Sequence, residues 1–215
     1  MIRFLFLFLC LTLMPADIFA QEDKSFDKVW NACLSMQEAI ANNDNNALRT
    51  AAGQLEAAGT SSFDSLTSKD DSIASLNGHF VFDYEFANIL ADGDDALSIA
   101  DSLSYIYSFR SPSRSGGIST KTCLVKAGQS TKYSFVARGP QRLGIVTEPG
   151  GRVAVRIHVT NHSGLSEWHN DNKNAKRGTN RFRTAFNLPS NKDNKVELEV
   201  INRGKKNVSF VVISN

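Results

Sequence analysis

Seven short runs of alternating apolar and polar residues fill the C-terminal half of this 215-residue chain, at 119–125, 131–138, 142–147, 151–160, 181–188, 194–201 and 207–214. Alternation with period two marks a strand with one face buried, and strands this short with turns this frequent predict an antiparallel β-sandwich. The breaks carry turn chemistry: Ala127-Gly128, Gly139-Pro140, Pro149-Gly150-Gly151, Pro189-Ser190-Asn191 and Arg203-Gly204. Residues 152–159 set their own register, with Val153, Val155, Ile157 and Val159 on one face and Arg152, Arg156 and His158 on the other. The last run differs. Val208, Phe210 and Val212 alternate with Val211 and Ile213, which predicts a strand covered on both sides.

The first half has another texture. Residues 1–20, MIRFLFLFLCLTLMPADIFA, combine Arg3, an apolar run over 4–14 and a small Ala20, the pattern of a secretory signal peptide. Cleavage there would release a chain beginning at Gln21, periplasmic, secreted or on the cell surface. The apolar run is too short for a membrane span, and no later stretch approaches the ~20 apolar residues one needs. Cys10 follows Leu7-Phe8-Leu9 rather than small residues, so a lipid anchor is not expected there.

Between 25 and 41, Phe26, Val29, Trp30, Cys33, Leu34, Ile40 and Ala41 recur at helical spacing, with Gln37 the one polar interruption. Residues 42–46 break this helix and offer a cap to a second, which carries Leu48, Ala51, Ala52, Leu55 and Ala58 and stops at Gly59. Residues 60–75 read as loop or a short helix. From 79 to 87, Phe80, Phe82, Tyr84 and Phe86 alternate with Val81, Asp83 and Glu85, which predicts a strand, with a buried aromatic helix as the rival. Asp92-Gly93-Asp94-Asp95 then caps a helical run reaching Ile106, and a Ser/Pro/Gly-rich linker follows at 111–118. The expected organisation is a leader at 1–20, a helical module at 21–110, that linker, and the sandwich at 119–215. In fold class this is α+β, a helical module followed by a seven-stranded antiparallel β-sandwich of jelly-roll type.

The net charge of +2 conceals a division at the linker. Residues 21–118 hold 15 acidic and 6 basic side chains, a net of −9, and residues 119–215 hold 6 acidic and 17 basic, a net of +11. Three readings stand open: the acidic half docks on the basic one, the basic half faces an anionic partner, or both charges only solubilise. Cys33 and Cys123 also have two readings, a bridge between the halves or two buried thiols.

The segments CLVKAGQSTKYSFVARG, QRLGIVTEPGG, RVAVRIHVT and NKVELEVINRGKKNVSFVVIS, in that order, resemble the secreted β-sandwich of the bacterial pre-peptidase C-terminal type over residues 119–215. The resemblance implies a noncatalytic module accompanying exported proteins. The chain departs from the calcium-suited acidic turn of many such modules, having Asn161-His162-Ser163-Gly164 instead.

No Gly-x-Ser-x-Gly, His-Glu-x-x-His, Walker loop or Cys-x-x-Cys is present, so no motif-bearing enzyme class and no cofactor are indicated. His158, His162, His169 and Asp171 are a candidate zinc set only if the chain turns after Thr160; otherwise they are a polar loop. Glu197 and Glu199 share a strand face about 7 Å apart, a spacing compatible with glycoside hydrolysis. Their intervening Val196, Leu198 and Val200 mark that face as solvated, with Lys or Arg expected opposite. The densest basic cluster, Lys173, Lys176, Arg177, Arg181 and Arg183 with Trp168 just before it, suits a sulfated or phosphorylated glycan through paired guanidinium bonds and ring stacking. A solvated loop and a dock for the acidic half are its alternatives. The sequence thus predicts an exported, noncatalytic binding or assembly protein for an anionic glycan or an envelope protein, without nucleic acid. The competing reading is a secreted hydrolase using the His/Asp loop or the Glu197/Glu199 pair.

Overall fold

The computed structural model describes residues 14–68, 75–100, 117–160, 164, 166–170, 178–189 and 191–215. Helix α1 (Met14–Ala41) runs through the expected leader boundary and turns at Asn43 into α2 (Asn45–Ala58). Asp44 caps α2, its carboxylate accepting from the Ala47 N–H at 2.9 Å, and Gly59 ends it in the left-handed region at φ 66°. Two short strands follow, β1 (Ser61–Ser62) and β2 (Thr67–Ser68), then α3 (Tyr84–Ala91) and a 3-10 turn at Ala96–Ile99. The sandwich comprises β3 (Ser119–Val125), β4 (Ser130–Ala137), β5 (Pro140–Thr147), β6 (Ala154–Thr160), β7 (Ser166–Asn170), β8 (Arg181–Asn187), β9 (Asn194–Ile201) and β10 (Val208–Ser214). One sheet has the order β1-β3-β10-β5-β8 and the other β2-β4-β9-β6-β7, antiparallel throughout except for β1 beside β3.

Three expectations are corrected. Among the described residues the C-terminal half has eight strands, because β7 pairs along β6 from Arg156↔Asn170 to Thr160↔Ser166. The expected strand at 79–87 is an extended approach followed by a helix. Asp83 accepts from the N–H groups of Glu85 and Phe86 at 2.9 and 3.1 Å and so starts α3. Phe80 meets both Phe82 and Phe86 edge-on, so all three rings bury together instead of alternating between core and water. Nor are residues 60–68 merely loop: Phe63 and Leu66, beside β1 and β2, lie inside the sandwich core. The linker residues 111–116 and the helical run beyond Ala100 lie outside the described residues.

The third layer decides how the halves relate. β10 is buried on both faces, with Phe210 and Val212 in the inter-sheet core and Val211 and Ile213 in a second core under the helices. That second core joins Phe26, Val29, Trp30, Cys33 and Met36 of α1 to Leu124, Val146, Val211 and Ile213 of the sheet. Cys33 and Cys123 are both free and buried, in different cores with the sheet between them, which is why no bridge joins them. Burial pushes both thiols up to about 12. The halves pack on one another through that second, apolar core rather than through their opposite charges. The polar contacts between them include Asp27, which accepts from Arg183 at 2.5 Å and lies 3.8 Å from Arg142. At Gly144, in mid-strand, the sheet has no side chain and Trp30 fills the notch.

A basic cleft as candidate functional site

The turn after β5 and the turn between β9 and β10 meet at one end of the sandwich. In the first, the Gly151 N–H donates to the Glu148 carbonyl at 3.0 Å, and Gly150 sits at φ 77°. Glycine is required at 151, where a Cβ would lie 2.6 Å from Val208 Cγ1. The second turn is built on Asn202, only 1% exposed. Its Oδ1 accepts from the Gly204 N–H at 2.8 Å, while its Nδ2 donates to the carbonyls of Lys206 at 2.7 Å and Val125 at 3.3 Å. Those bonds fix the backbone from which Arg203, Lys205 and Lys206 project.

Between the turns lies a cleft of about 440 Å³, a size suited to a small ligand or one or two units of a polymer. Its floor is apolar, from Ala154, Ile201 and Val208, and Gly150, Gly178 and Gly204 bring bare backbone to it from three separate loops. Arg152, Arg203, Lys205 and Lys206 line it and are exposed. No carboxylate is among the lining residues, and none is within ion-pairing distance of these four cations among the described residues. Unneutralised cations around a concave apolar floor attract anions and hold them by charge-assisted hydrogen bonds.

The residues singled out from sequence are distributed differently. Arg181 and Arg183 lie on β8, at the edge of the helix-covered sheet. The Arg183 guanidinium is engaged internally, by Asp27 and over the rings of Phe26 and Trp30 at 5.0 and 5.9 Å. Trp168 lies on β7 of the opposite sheet, in register with His158. Lys173, Lys176, Arg177, His162 and Asp171 are outside the described residues, although Arg177 directly precedes Gly178 of the cleft. Sequence reasoning read Arg203-Gly204 only as a turn. The signal it passed over was three cations within residues 203–206, a hairpin tip with no acid beside it.

The Glu197/Glu199 pair lies on the outer face of its sheet, as the alternation predicts. Glu199 pairs with Arg156 at 3.3 Å, and Glu197 with Lys195 at 3.2 Å and His158 at 3.4 Å. A Ser/His/Glu trio exists at His79, Glu148 and Ser209, but the order of contacts is unlike that of a nucleophile and its base. His79 Nδ1 and Ser209 Oγ both contact the Glu148 carboxylate, at 3.1 and 3.0 Å, and Ser209 is fully buried. Among the described residues no group of three or more His, Cys, Asp or Glu side chains is placed to hold a metal ion. No helix among them is long and apolar enough to cross a membrane. Val136, 58% exposed, is the one exposed large apolar side chain among them, so they present no apolar docking patch.

No family model matches the sequence, and no curated protein matches it. Among solved structures, PliG of Salmonella Typhimurium, a periplasmic inhibitor of g-type lysozyme, is similar at 17% identity over 46% of this chain and 89% of its own, with a TM-score of 0.28. The carbohydrate-binding module TmCBM61, solved with β-1,4-galactotriose, is similar at 13% identity over 46% of this chain and 86% of its own, TM-score 0.29. The enzymatically active domain of the bacteriophage CBA120 tailspike protein 4 is similar at 10% identity over 46% of this chain, TM-score 0.30, and the match spans 17% of that chain. Likenesses this distant carry no functional argument.

Proposed function

We propose that this chain is an exported, noncatalytic binding protein whose basic cleft holds an anionic ligand, a sulfated or phosphorylated glycan being the class that fits best. The observation that carries the reading is the cleft itself, four exposed cations around an apolar floor with no carboxylate among the described residues to neutralise them. The apolar floor suits the C–H face of a sugar ring, and the three glycines let a ligand approach the backbone closely. Export rests on the leader pattern at 1–20, and the noncatalytic role on the engaged state of the candidate acids and on the resemblance of residues 119–215 to pre-peptidase C-terminal modules.

The test is binding of the chain from Gln21 onward to dextran sulfate and to neutral dextran, at low and physiological salt. Each charge-assisted bond contributes roughly 1.5–3 kcal/mol. Arg203→Glu or Lys206→Glu is therefore expected to weaken dextran sulfate binding by about tenfold or more. Arg138→Glu, in the exposed turn before β5 at the opposite end of the sandwich, is expected to change it little. Equal binding of neutral dextran, or equal loss with Arg138→Glu, would overturn the assignment.

A further inference from the structure

The turns that wall the cleft are held from outside it, by the helical layer. Gln37, the polar break in the apolar stripe of α1, is only 7% exposed. Its Nε2 donates to the Thr147 carbonyl at 2.6 Å and lies 3.3 Å from the Asn180 carbonyl. Thr147 in turn donates its N–H to the Asn180 carbonyl at 3.0 Å and its hydroxyl to the Gly151 carbonyl at 2.9 Å. One helical side chain therefore clamps the start of the β5–β6 turn to the segment that carries Gly178.

A second hold lies a few residues away. The Glu148 carboxylate accepts from the N–H groups of Ser209 at 3.0 Å and Phe80 at 3.4 Å, and contacts His79 Nδ1 at 3.1 Å. Glu148 stands two residues before Gly150, Asn180 two after Gly178, and Ser209 next to Val208, so every hold grips chain that leads directly into the cleft lining. Moving the helical layer would break the buried Gln37 amide's bonds to Thr147 and Asn180 and leave Glu148 with Ser209 but without His79 and Phe80.

We propose that the helical layer is the positioning element of the cleft, with Gln37 and His79 as positioning residues, and that ligand occupancy and docking of the layer stabilise one another. This rests on the cleft being the binding site. The experiment follows amide hydrogen exchange in the chain from Gln21 onward, together with its affinity for dextran sulfate. It compares the unaltered protein with Gln37→Met, which preserves packing and removes the donors, and with His79→Ala. Exchange at Thr147, Gly151, Val153 and Thr179 is expected to rise about tenfold or more in Gln37→Met while Tyr133 and Leu198 are unchanged. Affinity is expected to fall about fivefold, a ratio typical of site-to-site coupling. Unchanged exchange at the turn amides, a uniform rise at every amide in both variants, or loosened turns with undiminished affinity would each overturn the proposal. If the unaltered protein does not bind dextran sulfate, it is the function of the cleft that fails, and the exchange data alone decide whether the layer holds its walls.

Discussion

Replacing Gly144 with alanine tests the docking of α1 on the sheet through a single methyl group. The new Cβ would lie 2.8 Å from two carbons of the Trp30 ring, Cε3 and Cζ3, and 3.2 Å from Phe26 Cζ. That is about 1 Å inside the contact optimum of roughly 3.5–4.0 Å. Neither ring has room to retreat, since Phe26 is fully buried, Trp30 is 8% exposed and the Arg183 guanidinium lies over both. Overpacking of this kind costs about 1–3 kcal/mol. Loss of glycine entropy in the unfolded chain offsets about 0.4–1 kcal/mol, because Gly144 does not need a positive φ. The net expectation is about 1–2 kcal/mol of destabilisation, or a Tm lowered by about 3–6 °C. Trp30→Ala alone is expected to cost about 3–5 kcal/mol, and in that background Gly144→Ala should cost little, since only the milder 3.2 Å approach to Phe26 remains and that ring gains room to shift. Urea unfolding followed by far-UV circular dichroism measures all four corners of the cycle. A Gly144→Ala protein as stable as the parent, or a cost that persists without Trp30, would refute the packing argument.

Because the inter-half contact is apolar with few ion pairs, a chain nicked near Ser113 is expected to elute as one species from gel filtration even in molar salt; separation at high salt would mean that charge holds the halves. Both buried thiols should resist a thiol reagent in the native protein at mildly alkaline pH and react on unfolding. Since folding raises each thiol from 9.0 to about 12, the folded state binds these protons more tightly, so stability present below pH 9 declines as pH rises toward 12; pH-dependent urea midpoints check the sign. Burial also raises the Asp83 carboxyl, against the backbone bonds that lower it. Asp83→Asn, which caps without charge, is therefore expected to match or exceed the parent's stability at neutral pH, whereas Asp83→Ala loses about 1 kcal/mol with its cap. Glu197→Gln and Glu199→Gln, which break partly exposed pairs, should each cost less than about 1 kcal/mol.

The sandwich was legible wherever one face is water and the other core. Residues 155–159 alternate without exception, and β10 betrayed its double burial by being apolar on both faces. β7 was not legible, because Ser-Glu-Trp-His-Asn has no alternation of its own and is a strand through its pairing with β6. The aromatic run at 80–86 misled for the opposite reason. Its period of two is real, but the rings cluster with one another, and the local signal that mattered was a capping aspartate at 83. Phe63 and Leu66 looked like isolated apolar residues in a loop because the core that receives them comes from strands far along the chain. The cleft shows the same limit. Arg152 and Arg203 are 51 positions apart, and only the meeting of two hairpin ends makes them neighbours. Gln37 was visible as an anomaly in an apolar stripe, yet its partners Thr147 and Asn180 were not.

The claim that anions bind at the meeting of those two hairpin ends is tested most directly by amide chemical-shift mapping during a dextran sulfate titration of the chain from Gln21 onward. The account predicts saturable shifts centred on Gly150, Gly178 and Gly204, with Gly139 and Leu188 at the opposite end of the sandwich little affected. Shifts centred on β8 or on β7 around Trp168, or no saturable shifts at low salt, would contradict it.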